Sequence, residues 1–365
     1  MLLENKHVVV TGGTGSLGRT LVRRLMTGEI GLPSRVTVFS RDEAKQYEMR
    51  MSWLHLAEAT DDVVYRCARD LVQFKIGDVR DYATVKQLVS DADVIFNTAA
   101  LKQVPTCEYY PYEAVRTNVT GVHNIVRAVC ESPSKPSLVV GISTDKACKP
   151  INVMGMTKAL QERIFIQGNL YAPNTRFVCV RYGNVLASRG SVIPLFLDQI
   201  RRGGPVTITM KEMTRFLLSL DQAVDTVFAA VRSAEPGDTY IPRVPSANVV
   251  DIAKLLIGDS NIPIQYTGIR PGEKIHETLV SEEECFRTDQ VGDYYVIRPM
   301  LPELRLQKAV EKPALDREFS SAYHCVDANE LKAMLISGGF LDKDGVARDD
   351  SKLLGKLTAI NSLSY

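Results

Sequence analysis

The chain has 365 residues, of which 44 are basic and 43 acidic, for a formal net charge of +1. That balance argues against a nucleic-acid or polybasic membrane surface, and no apolar run reaches the ~20 residues that span a bilayer. The length suits one large domain or two interleaved ones. Met1 to Lys6 leads directly into an apolar strand pattern, so no signal peptide is expected. Cys67, Cys107, Cys130, Cys148, Cys179, Cys285 and Cys325 are scattered without C-x-x-C spacing and read as reduced thiols of a cytoplasmic protein. The five histidines lack metal-ligand spacing, which argues against a zinc site.

The first half alternates short apolar runs with amphipathic stretches. His7–Val10 reads as a strand, Ser16–Met26 as a helix and Arg35–Phe39 as a strand. Val72–Ile76 is a strand, Tyr82–Ser90 a helix, Asp93–Asn97 a strand and Ala114–Cys130 a long helix. Ser137–Ile142 and Arg176–Arg181 are strands flanking a helix at Val153–Gln167. These strands are continuous Val/Ile/Phe runs, as in a parallel sheet covered on both faces. The pattern predicts an α/β fold with a doubly wound parallel sheet of the Rossmann type.

From about Ala187 the rhythm shortens, with turn signals at Gly203-Gly204-Pro205, Pro236-Gly237 and Pro271-Gly272. Residues 1–186 and 213–241 are assigned to the dinucleotide domain, with Leu220–Ala234 as a returning helix. Residues 187–212 and 242–299 are assigned to a smaller, discontinuous substrate lobe. Residues 300–365 form a tail with one helix, Ala328–Ile336, expected to pack on the body or on a neighbouring subunit.

Val8-Val9-Val10-Thr11-Gly12-Gly13-Thr14-Gly15-Ser16-Leu17-Gly18 is a strand, a glycine turn and the start of a helix. Gly12, Gly15 and Gly18 let the main chain approach a pyrophosphate, and Thr14, Ser16 and Leu17 lie in the turn that offers N–H groups to it. After the second strand an acidic residue would hold the ribose of NAD. Here Phe39 is followed by Ser40-Arg41-Asp42, with Lys45 behind. Ser40 removes a charge that would repel a 2′-phosphate, and Arg41 can grip one with its fork. NADP is therefore expected; the alternative is Asp42 turned inward to serve NAD. Asp78 ends the next strand and reads either as a partner of the adenine amine or as a helix-capping residue.

Ser143-Thr144-Asp145-Lys146 ends a strand at the carboxyl edge of the sheet, where open α/β sheets bind ligands. Lys158 lies one helical turn beyond Met154, on the same face of one helix. A nicotinamide-dependent short-chain dehydrogenase carries Tyr-x-x-x-Lys at this place. Met154 stands where the tyrosine would be, and a thioether has no proton to exchange. Proton chemistry then falls to Asp145 and Lys146, unless that pair is only an exposed turn.

Nine segments in order carry a resemblance. They are Thr11–Gly18, Phe39–Glu43, Gly77–Asp81, Ala99–Pro105, Ser143–Lys146, Arg181–Val185, Ser188–Pro194, Met213–Phe216 and Arg270–Lys274. Together they resemble the UDP-N-acetylglucosamine 4,6-dehydratases of the extended short-chain dehydrogenase superfamily, over about Lys6 to Pro299. Those enzymes open routes to deoxyamino sugars of bacterial capsules, O-antigens and flagellar glycans. The pseudaminic-acid branch would carry tyrosine at position 154. Met154 resembles the branch that makes capsular N-acetyl-L-fucosamine precursors and also the large membrane-bound, configuration-retaining dehydratases, against which the lack of a membrane segment argues; Arg270–Lys274 is closer to the pseudaminic branch.

The resemblance implies a hydro-lyase that keeps a recycled NADP bound and acts on a UDP-N-acetylhexosamine as a homo-oligomer, hexamer or dimer. Hydride leaves C4, water is eliminated across C5 and C6, and hydride returns to C6, with inversion at C5 expected and retention as the alternative. Lys146 is expected to be the C5 base, its pKa depressed by positive neighbours, and Asp145 the acid for the C6 hydroxyl. Thr144 is expected to bond the C4 oxygen and Lys158 the nicotinamide ribose. Arg215 and Arg270 are expected to clamp the pyrophosphate, with Asn184, Ser191, Val192 and Lys102 near the UDP-sugar. Glu273 is expected to anchor its own loop. Two other readings stand beside this one: a nucleotide-sugar epimerase or reductase on the same fold, and a catalytically silent NADP-binding protein.

Overall fold

The computed structural model describes residues 2–56, 71–186, 192–305 and 313–347. β1 (His7–Thr11) runs through the glycine turn into α1 (Ser16–Met26). β2 (Arg35–Ser40), α2 (Glu43–Leu56), β3 (Val72–Ile76), α3 (Tyr82–Val89) and β4 (Val94–Asn97) follow. Short helices α4 (Val104–Tyr109) and α5 (Pro111–Val115) lead through a π-helical turn, Arg116–Thr120, into α6 (Gly121–Glu131). β5 (Leu138–Thr144), a 3-10 turn at Asp145–Ala147, α7 (Val153–Tyr171) and β6 (Arg176–Tyr182) complete the repeating part. Next come α8 (Val192–Arg201), β7 (Val206–Ile208), β8 (Thr214–Phe216), α9 (Leu220–Ser233), β9 (Thr239–Pro242) and β10 (Ser246–Asn248). The described chain ends with α10 (Val249–Ile257), β11 (Ile264–Tyr266), β12 (Thr278–Val280), α11 (Glu282–Cys285), β13 (Thr288–Val291), β14 (Tyr294–Ile297), β15 (Phe319–Ser320) and α12 (Ala328–Ser337).

The main sheet has the order β13-β14-β9-β6-β5-β4-β1-β2-β3. Strands β1 to β6 are mutually parallel. Strand order reverses between β1 and β4, and the carboxyl edge at that switch point is where such sheets bind dinucleotides. Alternate residues serve opposite faces. Val8, Val10, Val140 and Val178 pack with α1 and α9 through Leu21, Val224 and Phe228. Val9, Ile95, Val139 and Phe177 pack with α6 and α7 through Ile125 and Phe165. Each such side chain contributes about 1.5–3 kcal/mol on full burial.

Two features differ from the sequence-based expectation, and one, the packing of the tail, agrees with it. Residues 288–297, assigned to the substrate lobe, instead extend the main sheet, because β14 pairs antiparallel with β9 and β13 with β14. The tail packs on the body, one of its two expected places: Leu331, Leu335, Phe340 and Leu341 share one apolar core with Ile193, Phe196 and Ile252 of the lobe. The single helix expected over Ala114–Cys130 is interrupted by the π-helical turn, where buried Asn118 takes a bond from the Leu101 N–H (2.8 Å) and gives bonds to the Leu101 carbonyl (2.9 Å) and Thr157 Oγ1 (3.0 Å). Such turns collect at functional sites, and this one fixes the main chain beside Lys102. Among the described residues no helix is long and apolar enough to cross a membrane.

Candidate active site

A continuous cleft follows the carboxyl edge of the sheet. Its two parts, of about 330 and 640 Å³, share Gly12, Gly15, Ser16, Ala99, Ala100 and Lys102.

The smaller part is built by the β1–α1 turn and the end of β2. Gly12 has φ +67°, and a Cβ there would lie 2.7 Å from Ala99 Cα. A Cβ on Gly18 would lie 2.6 Å from Gly13 Cα. Only glycine fits either place. Gly15 caps α1 without a side-chain bond, and the first turn holds no acidic residue, so the helix N-terminus is open to an anion. Thr14, Ser40, Arg41 and Lys45 line this part. Ser40 Oγ accepts a bond from Gln46 Nε2 (3.0 Å). The Asp42 carboxylate is taken by Lys45 Nζ at 2.5 Å, and that bond lowers its pKa. Arg41 is half exposed, with Nη1 3.7 Å from Asp78.

The larger part is a chamber at the ends of β5 and β6. β5 ends where Thr144 Oγ1 caps the 3-10 turn through the Lys146 N–H. α7 begins against that turn, and a Cβ on Gly155 would stand 2.2 Å from the Lys146 carbonyl oxygen. This close approach sets where Lys146 projects. Its ammonium donates to Asp145 Oδ1 (3.1 Å) and Asn184 Oδ1 (3.1 Å) and lies 3.1 Å from Glu277 Oε1. Thr144 Oγ1 also donates to Asp145 Oδ1, at 2.8 Å. Arg215 Nε lies 3.9 Å from Glu277. Thr144, Lys146, Asn184, Arg215 and Glu277 line the chamber, and Asp145 is completely buried behind them.

Charge and burial separate these groups. Burial raises the Asp145 carboxyl, and Lys146 only partly offsets it. Burial works to lower Lys146, but Asp145 and Glu277 outweigh it and hold the ammonium above its ordinary pKa. Burial works to raise Glu277, but Lys146 and Arg215 outweigh it and keep the carboxylate ionised. Lys158 donates to the Ile142 carbonyl (2.5 Å) and Gln161 Oε1 (2.7 Å). Neutral acceptors repay little desolvation, so burial brings its pKa down to about 8. The depressed lysine is thus Lys158, and the expectation of a depressed Lys146 is corrected.

The family model for polysaccharide biosynthesis proteins matches residues 8–299. The chain belongs to this family. A UDP-glucose 4-epimerase of Rickettsia conorii is 43% identical over 353 residues, covering 94% of this chain and 99% of the relative. Its counterpart in Rickettsia typhi is 38% identical over the same shares. Pen from Bacillus thuringiensis is 31% identical in sequence and superposes with a TM-score of 0.81, covering 92% of this chain and all of that one. At 18% identity, a UDP-glucuronic acid 4-epimerase from Bacillus cereus in complex with NAD (TM-score 0.63) and a dTDP-glucose 4,6-dehydratase from Streptomyces venezuelae with NAD bound (TM-score 0.61) share the fold, each covering 74% of this chain and 88% and 86% of their own. This polysaccharide biosynthesis protein is therefore a nucleotide-sugar-modifying enzyme of the extended short-chain dehydrogenase type.

In this family member the cleft collects most residues singled out in the sequence. Gly12, Thr14, Gly15, Ser16, Leu17, Gly18, Ser40, Arg41, Lys45, Lys102, Thr144, Lys146, Lys158, Asn184, Val192, Arg215 and Arg270 line its walls. Asp78 is set back: Gly77 and Val79 line the wall, while its carboxylate binds Arg80 at 2.6 Å. The helix cap is Asp81, which accepts from the Ala83 N–H. Arg215 and Arg270 do not form a matched clamp. Arg215 is buried and gives Nη1 to the carbonyls of Thr214 (2.7 Å) and Ile275 (3.1 Å). Arg270 is exposed at the rim, 4.0 Å from Glu273 Oε1, and Glu273 Oε2 is buried without a hydrogen-bond partner. Ser191 lies outside the described residues. Met154 lines the chamber and packs on Cys107, Ala114 and Leu101.

Glu277, Arg19 and Lys274 also line the cleft, beside the site residues singled out in the sequence. Glu277 falls just past the Arg270–Lys274 segment, and no spacing rule marks it. Arg19 follows Gly18 and lines the smaller part, bonded to the Thr14 carbonyl at 3.0 Å. Lys274 lines the chamber and holds the Cys148 carbonyl at 2.6 Å.

Proposed function

We propose that this enzyme is an NADP-dependent UDP-N-acetylhexosamine 4,6-dehydratase. The observation that carries the reading is the proton-transfer cluster of Thr144, Asp145, Lys146 and Glu277 around a chamber where Met154 offers no proton. A 4-epimerase needs proton exchange at one alcohol. A dehydratase also needs a base for C5–H and an acid for the C6 oxygen, and only this reading uses two carboxyls and an ammonium together.

The glycine turn fits a dinucleotide: Gly12 and Gly18 let the turn close on the main chain of Ala99 and Gly13, and the start of α1 offers uncapped N–H groups. Arg19, Arg41, Lys45 and Asp42 line the same wall. Lys45 takes Asp42 and Glu48 lies 3.6 Å from Arg19, so half-exposed Arg41 is the group that would take a 2′-phosphate, and NADP is preferred over NAD. When bound, the cofactor would supply reversible hydride transfer, from C4 and back to C6.

This chain's residues then move the protons. Thr144 Oγ1 takes the C4 hydroxyl proton and passes it to Asp145, whose raised pKa suits it to receive one. Lys146, held as an ammonium, protonates the departing C6 oxygen and is recharged from Asp145. Lys158 holds the nicotinamide ribose, and Lys102 and Asn184 steady the sugar. Met154 is a wall.

A second reading, a UDP-hexose 4-epimerase, is favoured by the names of the Rickettsia relatives. Proton and carbon NMR in deuterated water separates the two. A 4-keto-6-deoxy product from UDP-N-acetylglucosamine, with deuterium at C5, supports the dehydratase and reports the C5 configuration. Interconversion of UDP-glucose and UDP-galactose without loss of water overturns it. Nucleotide binding without turnover of either substrate favours a silent binder.

A further inference from the structure

The cluster contains a carboxylate whose geometry asks for a role. Glu277 is 2% exposed yet lines the reaction chamber. Its Oε1 lies 3.1 Å from Lys146 Nζ and 3.9 Å from Arg215 Nε. Its Oε2 is buried and has no hydrogen-bond partner. An unpartnered buried carboxylate oxygen is costly, a cost that functional sites retain. Asp145 has a similar orphan, Oδ2, but does not line the chamber; Glu273 has one too, Oε2, and lines the chamber, but its charged neighbour is the exposed Arg270 at 4.0 Å, whereas Glu277 stands 3.1 Å from Lys146.

The main chain at Glu277 is locked from several sides. Its N–H donates to Ser321 Oγ (2.9 Å) and its carbonyl accepts from the Ser321 N–H (2.8 Å). Ser321 Oγ in turn shares a proton with Thr214 Oγ1 (2.7 Å), next to Arg215. Two residues on, the Leu279 carbonyl accepts from buried Arg181 (2.8 Å), which also pairs with Glu162 and Glu284 at 2.7 Å each. The tail and the core of the sheet thus hold one side chain at the chamber wall, while its terminal torsion remains soft.

We propose that Glu277 is the base that removes the C5 proton. This rests on the dehydratase reading and replaces the expected role of Lys146. With C4 oxidised to a ketone, Glu277 takes the C5 proton, and the C5–H electron pair forms the C5–C6 double bond. The C6–O bond breaks, its electrons leave with oxygen, and Lys146 supplies the proton that makes water. After hydride reaches C6, Glu277 returns its proton to C5. Lys146 and Arg215 keep Glu277 ionised until the ketone forms.

The test supplies the isolated UDP-4-keto-6-deoxy-N-acetylhexosamine to the purified holoenzyme in deuterated water. Deuterium entering C5 is followed by NMR, and affinity for UDP by calorimetry. Glu277→Gln keeps the shape and loses the base. Exchange at C5 is expected to fall at least about 10²-fold with UDP affinity within about threefold of wild type. Exchange at the wild-type rate in Glu277→Gln overturns the assignment. Should that variant lose UDP affinity, Glu277→Asp carries the test. Partial exchange, with a larger deuterium kinetic isotope effect at C5 than wild type, supports the base role; an unchanged isotope effect and rate overturn it. A wild type that neither dehydrates UDP-N-acetylglucosamine nor exchanges C5 fails the dehydratase reading itself, a result distinct from failure of Glu277 alone.

Discussion

The dinucleotide half of the cleft is made from consecutive residues and main chain, whereas the reaction half is made from side chains drawn together over long distances. Gly12 to Gly18 shape one half within a single strand–turn–helix unit. Thr144 to Lys146, Asn184, Arg215 and Glu277 come from four separated segments to make the other. The first half tolerates no added atoms but carries little net charge of its own. The second balances two carboxylates against two cations, so each member's protonation depends on the others. Changes to the first half should therefore impair binding, and changes to the second should impair chemistry with binding intact.

The largest effect expected lies in the second half. Lys146→Met should lower release of the 4-keto-6-deoxy product by at least about 10³-fold while UDP affinity survives. Removing the ammonium also strands Asp145 and Glu277, so the pH profile of any residual activity should shift upward as those carboxyls protonate more readily. Product release at near wild-type rate would break the comparison at its main point.

Gly12→Ala tests the other half. The new Cβ would meet Ala99 main chain at 2.7 Å, at φ +67°. A cost of about 2–4 kcal/mol is expected from overpacking and left-handed strain together. The variant should lose copurifying dinucleotide and melt at lower temperature. Retention of bound cofactor at wild-type stoichiometry would show that the turn can give way.

How much of each half was legible in the sequence follows from the same contrast. The glycine turn and the parallel strands were legible because the signals are local: an apolar run, small residues at fixed spacing, a helix start. Thr144, Asp145 and Lys146 were legible because they end a strand at the ligand edge of the sheet. Glu277 was not, because its place depends on β12 pairing with β15 across the tail. The charge state of Lys146 was missed for the same reason: Glu277 had not been placed beside it. The assignment of 288–297 to the lobe failed because antiparallel strands added at a sheet edge leave no βαβ rhythm. The π-helical turn at Arg116–Thr120 was invisible to periodicity because its residues are consistent with one long helix.

Arg41→Ala is expected to be milder, since Arg41 is half exposed and Arg19 and Lys45 remain in the wall. Affinity for NADP should fall roughly tenfold, about 1.4 kcal/mol, with NAD affected less. Calorimetry with both dinucleotides checks this. Equal loss for the two, or NAD alone in the purified protein, would assign Arg41 to holding Asp78 rather than a 2′-phosphate.

The smallest effect is expected at Met154, which belongs to the reaction half by position and to neither by chemistry. It is buried in the first turn of α7, where Asn152 caps the helix by accepting the Gly155 N–H. Its neighbours Cys107, Ala114, Leu101 and Val104 are apolar. Leucine has similar volume, so Met154→Leu should cost under ~1.5 kcal/mol of stability and leave most of the turnover. Met154→Tyr brings in the hydroxyl that tyrosine-dependent dehydrogenases use. With Thr144 already bonded to Asp145 at 2.8 Å, that hydroxyl duplicates a proton path and its ring crowds the chamber, so no gain in rate is expected. Steady-state rates on UDP-N-acetylglucosamine for the three proteins decide the matter. An inactive wild type that Met154→Tyr switches on would mean that Thr144, Asp145, Lys146 and Glu277 never replaced the tyrosine, and the charge-balanced half of the cleft would be a remnant rather than a working site.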